Sequence, residues 1–194
     1  MRALLLPIPL VTCGTGPRPG SLPAANQVSC AKDAPALPAK LAGAQWCFPI
    51  RAGTARRWFF RGSTYELFTD ATGGVLYRAD AEWLPEATTP QVLDLDHDGN
   101  DELLYVSRGS DDHSGISLTR LEIYSFEDPR QPTADNVQLA SDAAGVRCKA
   151  TFKLIDREGG GKDIEVTGDC EKDVVHPEVT TVVYRWKGRT LERQ

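Results

Sequence analysis

Apolar residues along this chain fall in short runs broken by glycine, proline and acidic residues, and no long stretch carries the helical period of about 3.6. Runs rich in β-branched and aromatic residues, bounded by turn formers, predict strands. Arg56-Arg57-Trp58-Phe59-Phe60-Arg61 reads as a buried strand whose arginine ends reach water, although arginine with aromatics also marks binding surfaces. Residues 65–68 and 75–77 flank Asp70-Ala71-Thr72-Gly73-Gly74 and predict a hairpin, and Trp83-Leu84-Pro85 is expected to cap an edge of the core. Further strands are expected at 92–93, 103–106, 118–126 and 179–186, with a last turn at Lys187-Gly188-Arg189 before Thr190-Leu191. Residues 127–136 read as a proline-bearing loop, and 30–47, broken by Pro35 and Pro38, as irregular. The expected fold is all-β: an antiparallel sandwich or a propeller-like assembly.

One hairpin is specified down to its register. Cys148 and Cys170 are equidistant from Gly159, so a turn there brings them together. Ala150 then faces Gly168, Phe152 faces Val166 and Leu154 faces Ile164, all on the cysteine face. The other face sets Lys149 against Asp169, Thr151 against Thr167 and Lys153 against Glu165. An apolar face, a charge-complementary face and a disulfide coincide in this register, and a slip by one residue would lose all three.

Candidate chemistry concentrates in Asp94-Leu95-Asp96-His97-Asp98-Gly99-Asn100-Asp101-Glu102-Leu103. Carboxylates stand at the first, third and fifth places of a tight loop, Gly99 follows, and Glu102 comes three residues later. Oxygen donors in that spacing can converge on a hard cation such as Ca2+, which takes roughly 6–8 oxygens. Gly99 supplies a turn needing φ > 0, and Asn100 would offer its backbone carbonyl. An EF-hand would require a bidentate glutamate where Tyr105 stands. The alternative is an acidic turn without metal, in which the crowded carboxylates would repel one another. With strands on both sides, the stretch resembles the D-x-D-x-D-G-x-x-[DE] calcium loops of FG-GAP and VCBS repeats. His97 stands where those repeats often carry a small residue. The resemblance implies Asp94, Asp96, Asp98, Asn100 and Glu102 as calcium ligands in a strand–loop–strand unit. A full propeller of that type needs repeated loops, and one is present.

Composition adds a setting. The 194 residues, 41% hydrophobic and 25% charged with net charge −5, suit one globular domain and give no sign of nucleic-acid binding. Residues 1–12 read as a signal peptide, a minimal basic start followed by an apolar run too short to span a bilayer. Leu10-Val11-Thr12-Cys13 resembles a bacterial lipobox, with Thr12 a departure from the usual small residue. That resemblance implies lipidation of Cys13, a flexible tether over 13–28 and one β domain over 29–194. Gly14, where an aspartate is lacking, implies the periplasmic side of the outer membrane. The other four cysteines imply two disulfides; the register argument selects Cys148–Cys170 and leaves Cys30–Cys47 by elimination.

Residues 107–115, polar and glycine-containing, are expected to form a loop fixed by the calcium unit, with Arg108, Ser110, Asp111, His113 and Ser114 as partner-binding candidates. His113 reads as solvated rather than catalytic, because no G-x-S-x-G, H-E-x-x-H or paired-histidine motif accompanies it. The expectation is therefore binding and not catalysis. In layout the chain is similar to immunity lipoproteins and lysozyme-inhibitor-like proteins, which implies a cell-wall hydrolase or toxin as partner and a membrane contact through lipid alone. A carbohydrate-binding module using Trp58, Trp83 or Trp186, or a structural envelope lipoprotein, are the alternatives.

Overall fold

The computed structural model describes residues 34–37, 44–80, 86–88, 90–111, 116–128, 130–143, 146–170 and 180–194. The expected signal peptide and tether, Cys13, Cys30, Trp83, His113 and Ser114 lie outside these residues, as do the side chains of Ser110 and Asp111.

All the described secondary structure is β, arranged as antiparallel sheets in a sandwich. The smaller sheet has the order β1 (Trp46–Ala52), β2 (Ala55–Arg61), β3 (Tyr65–Thr69), β4 (Val75–Asp80). The larger contains β5 (Glu86–Ala87) and β6 (Gln91–Leu93), which both pair with β7 (Glu102–Asp111), followed by β8 (Ile116–Ser125), β9 (Thr133–Ala143), β10 (Val146–Asp156), β11 (Lys162–Gly168), β12 (Thr180–Lys187) and β13 (Thr190–Arg193).

Strand β10 is the corner of the larger sheet. Its first part, from Val146 to Lys149, pairs with β9, and its second, from Ala150 to Asp156, pairs with β11. The two halves of the sheet thereby fold over one core, in which Leu104, Val106, Leu121, Ile123, Val137 and Leu139 meet Phe152, Ile164, Val166 and Trp186. Alternate positions of β7 face the other way: Leu103 and Tyr105 pack with Ile50, Phe59, Phe68 and Phe126 between the two sheets. The run Leu103-Leu104-Tyr105-Val106 is apolar throughout because both faces of β7 are covered. Each of these aliphatic side chains contributes about 1.5–3 kcal/mol relative to being left in water.

The sequence-derived hairpin holds to the residue: Ala150 opposes Gly168, Phe152 opposes Val166 and Leu154 opposes Ile164, and Cys148 is bonded to Cys170. Lys153 Nζ lies 2.7 Å from Glu165 Oε1 on the opposite face. The second expected bridge runs to Cys30, which lies outside the described residues. Cys47 is a free, buried cysteine that packs as a small apolar residue among Trp58, Phe60, Tyr65 and Leu67 on the outer face of the smaller sheet.

Two expectations change. The end of the stretch read as irregular, Trp46 and Cys47, already belongs to β1, whose Phe48 and Ile50 alternate into the core. The polar stretch after Val106 is not a long loop: β7 continues to Asp111 and β8 begins at Ile116, with Ser110 opposite Ser117. Backbone pairing overrides side-chain polarity here.

Candidate metal centre

The loop at 94–101 leaves β6 and enters β7, so it belongs to the larger sheet, yet it touches hairpin turns of every layer. Towards the smaller sheet, Gly53 N donates to Asn100 Oδ1 (2.8 Å), Arg51 N to Asp101 Oδ2 (2.7 Å), and Asp101 N to Arg51 O (2.8 Å). Towards the β10–β11 turn, Lys162 N donates to Leu95 O (2.8 Å) and Arg157 Nη2 to Asp96 O (2.9 Å). Towards the β12–β13 turn, Gly188 N donates to Asp96 Oδ2 (2.9 Å). Leu95, wholly buried, plugs the loop into the main core.

The loop curls because its carboxylates cap its own amides. Asp94 Oδ1 accepts from Asp98 N and Asp94 Oδ2 from Gly99 N, both at 3.0 Å. Gly99 has φ 92, as its turn requires; His97, at φ 68, also adopts the left-handed conformation, and its ring lies against Gly160.

One oxygen each from Asp94, Asp96 and Glu102 lie within 4.8 Å of one another. Glu102 is 1% exposed; its Oε2 accepts from Leu95 N (2.8 Å), whereas its Oε1 is buried with no hydrogen-bond partner. Asp96 is alike: Oδ2 holds Gly188, and Oδ1 is buried and unpartnered. Buried carboxylate oxygens without donors are costly unless a proton or a cation satisfies them. Burial, reinforced by Asp96, Asp98 and Asp94, pushes the Glu102 carboxyl up to about 9. Burial likewise raises Asp96, with Asp98 and Asp94 adding repulsion.

Of the five expected ligands, the structure brings together Asp94, Asp96 and Glu102. Asp98 instead accepts from the backbone N and side-chain Nδ2 of Asn100, at 2.7 and 2.8 Å, and Asn100, whose backbone carbonyl is the expected donor, lends its side-chain oxygen to Gly53 N. The donors are all oxygen, which suits a hard cation tolerant of irregular geometry. Two residues that shape this centre were not expected from the sequence, Arg51 and Arg157. Each is remote in the chain, and the only local hint is that each adjoins a glycine turn, Gly53 or Gly159-Gly160-Gly161.

The expected partner-binding segment lies elsewhere. Glu102 starts β7 at the acidic loop, and Asp111 ends it at the β7–β8 turn, so the two are separated by about 30 Å of strand. The loop at 94–101 therefore does not clamp that turn. Arg108 is exposed there. Of the tryptophans considered for glycan stacking, Trp58 and Trp186 are 2% and 1% exposed and offer no free face. Comparison with protein-family models, curated proteins and solved structures matches this chain to none of them.

Proposed function

We propose that the loop at 94–101 holds a Ca2+ ion and that the chain is a calcium-stapled, lipid-anchored β module of the cell envelope that binds another protein. The observation that carries the calcium reading is that Asp94, Asp96 and Glu102 converge while two of their buried oxygens, Asp96 Oδ1 and Glu102 Oε1, have no hydrogen-bond partner. Three carboxylates would hold the ion, and its role is structural: it would neutralise the charge that gathers where three hairpin turns meet. A ligand bound only by the folded state stabilises it by about 2.7 kcal/mol at a hundredfold excess over Kd.

The partner we favour is a cell-wall-degrading toxin or lysozyme-like hydrolase, for which the chain would act as inhibitor or immunity protein rather than as an enzyme. The residues we favour for contact are Arg108, whose side chain is exposed, and its neighbours in sequence Ser110, Asp111, His113 and Ser114. Burial of Trp58 and Trp186 counts against a glycan-stacking module. The test is capture from envelope and toxin-bearing lysates on the chain carrying Cys13→Ser. Recovery of a cell-wall hydrolase, lost with Arg108→Ala plus His113→Ala at unchanged Tm, supports this reading. Retention of glycan alone, or of nothing, contradicts it.

A further inference from the structure

One arginine shares a carboxylate with the proposed calcium site. Arg51 Nη2 lies 3.1 Å from Asp94 Oδ2 and 3.2 Å from Asp101 Oδ1. Its backbone is held by the same loop, since Arg51 N donates to Asp101 and Arg51 O accepts from it. The guanidinium is thus delivered to the cluster by the end of β1. Arg157 also reaches the loop, but through the Asp96 carbonyl rather than a carboxylate of the triad. Among the described residues, Arg51 is the cationic side chain that pairs with a member of the Asp94, Asp96, Glu102 group.

We propose that Arg51 is a built-in competitor for the calcium site, lowering its affinity and coupling its occupancy to the β1–β2 hairpin; this rests on the calcium reading above. Guanidinium and metal ion draw on one carboxylate, and two cations beside the same acid repel each other. Asp101 gives Arg51 a second partner, so surrendering Asp94 leaves the guanidinium paired. Room for it to move exists in a cleft of about 360 Å³ lined by Pro49, Ile50, Arg51, Thr54, Arg56 and Asp101. The side chain is 54% exposed, so solvent screens the effect and keeps it moderate. Coupling of this kind is reciprocal: what Arg51 takes from calcium affinity, calcium takes from the hold on Arg51.

The experiment is calcium titration calorimetry on the full chain carrying Cys13→Ser, with Arg51, Arg51→Gln and Arg51→Lys compared at low and high ionic strength. Removing the charge should tighten calcium binding about three- to tenfold, a gap that narrows as salt screens it. Arg51→Lys, which keeps the charge, should stay within about twofold of the parent. In the parent chain, calcium should also shift the Arg51 Nε–H resonance, a readout that needs no variant. Equal or weaker binding by a cooperatively folding Arg51→Gln, or an unmoved resonance, overturns the role of Arg51 while the parent still binds calcium. If the parent binds no calcium, the reading of the site falls and this inference falls with it.

Discussion

The backbone amide of Gly188 donates to Asp96 Oδ2 at 2.9 Å, joining residues 92 positions apart. The other oxygen of the same carboxylate is buried and unpartnered, and Asp96 lies in the cluster with Asp94 and Glu102. Asp96 therefore belongs at once to the β12–β13 turn and to the candidate metal centre. Losing the charge balance of that centre should loosen turns that are distant in sequence.

The turns should report this unequally. A Cβ at Gly161 (φ +79) would stand 2.5 Å from Leu95 O, whereas one at Gly53 (φ +58) would meet nothing within 4 Å. Gly53→Ala should cost only the left-handed conformation, about 1–2 kcal/mol. Gly161→Ala should cost clearly more, because the β10–β11 turn must retreat from the loop. Urea unfolding of the two variants checks the order.

Acidity gives a signed prediction. Burial raises the Glu102 carboxyl from 4.5 to about 9, so the folded chain without metal keeps a proton that the unfolded chain releases. The unfolded state then binds fewer protons, and stability falls as pH rises through that window. Asp96, also raised, acts in the same direction. In EGTA, Tm should decline from pH 5 to pH 8, and Glu102→Gln should flatten the decline. Asp163, lowered chiefly by its hydrogen bonds from Arg185, acts oppositely, its contribution lost only as pH falls below 3.8. A Tm in EGTA that rises across this range would count against the burial assigned to Glu102.

Between the two sheets, Arg61 Nε lies 3.1 Å from Glu66 Oε1, both groups buried. Tyr105 also donates to Glu66, and the guanidinium sits 4.6 Å from the centre of the Trp46 ring. Removing either partner alone strands a buried charge and should cost about 3–5 kcal/mol. Arg61→Met with Glu66→Leu should cost much less than the sum of the single changes. Additive losses in denaturant titrations would show that the pair is not coupled.

Cysteine chemistry separates the two bridges expected from the sequence. The Cys148–Cys170 crosslink spans 22 residues, and its removal should cost up to about 3 kcal/mol by loop-closure entropy. Cys47 should resist alkylation in the native state and react once unfolded, because it is 3% exposed. A non-reducing digest that links Cys47 to Cys30 would contradict the structure.

The parts legible in the sequence are those set by local symmetry and spacing. The β10–β11 register could be read because cysteines, apolar pairs and charge pairs agree on one turn at Gly159. The positive φ of Gly99 followed from the loop pattern alone. Strand β9 escaped because its alternation rests on Val137 and Leu139 within a stretch of alanine, aspartate and polar residues. Pro49 hid β1, although it sits in an edge strand, where a missing N–H can be tolerated. The meeting of three turns at one acidic loop was beyond sequence reasoning, since Arg51, Arg157 and Gly188 reach Asp94 and Asp96 across 43, 61 and 92 residues. For the same reason, adjacency in sequence misled on 107–115: the strand that links it to the calcium loop also holds the two apart.

The most direct test is calorimetric melting of the chain in EGTA and in excess calcium, beside Glu102→Gln. The account predicts a calcium-dependent rise in Tm, equivalent to about 2.7 kcal/mol at a hundredfold excess over Kd and absent from Glu102→Gln. An identical Tm in calcium and EGTA, with the parent folded in both, would contradict it.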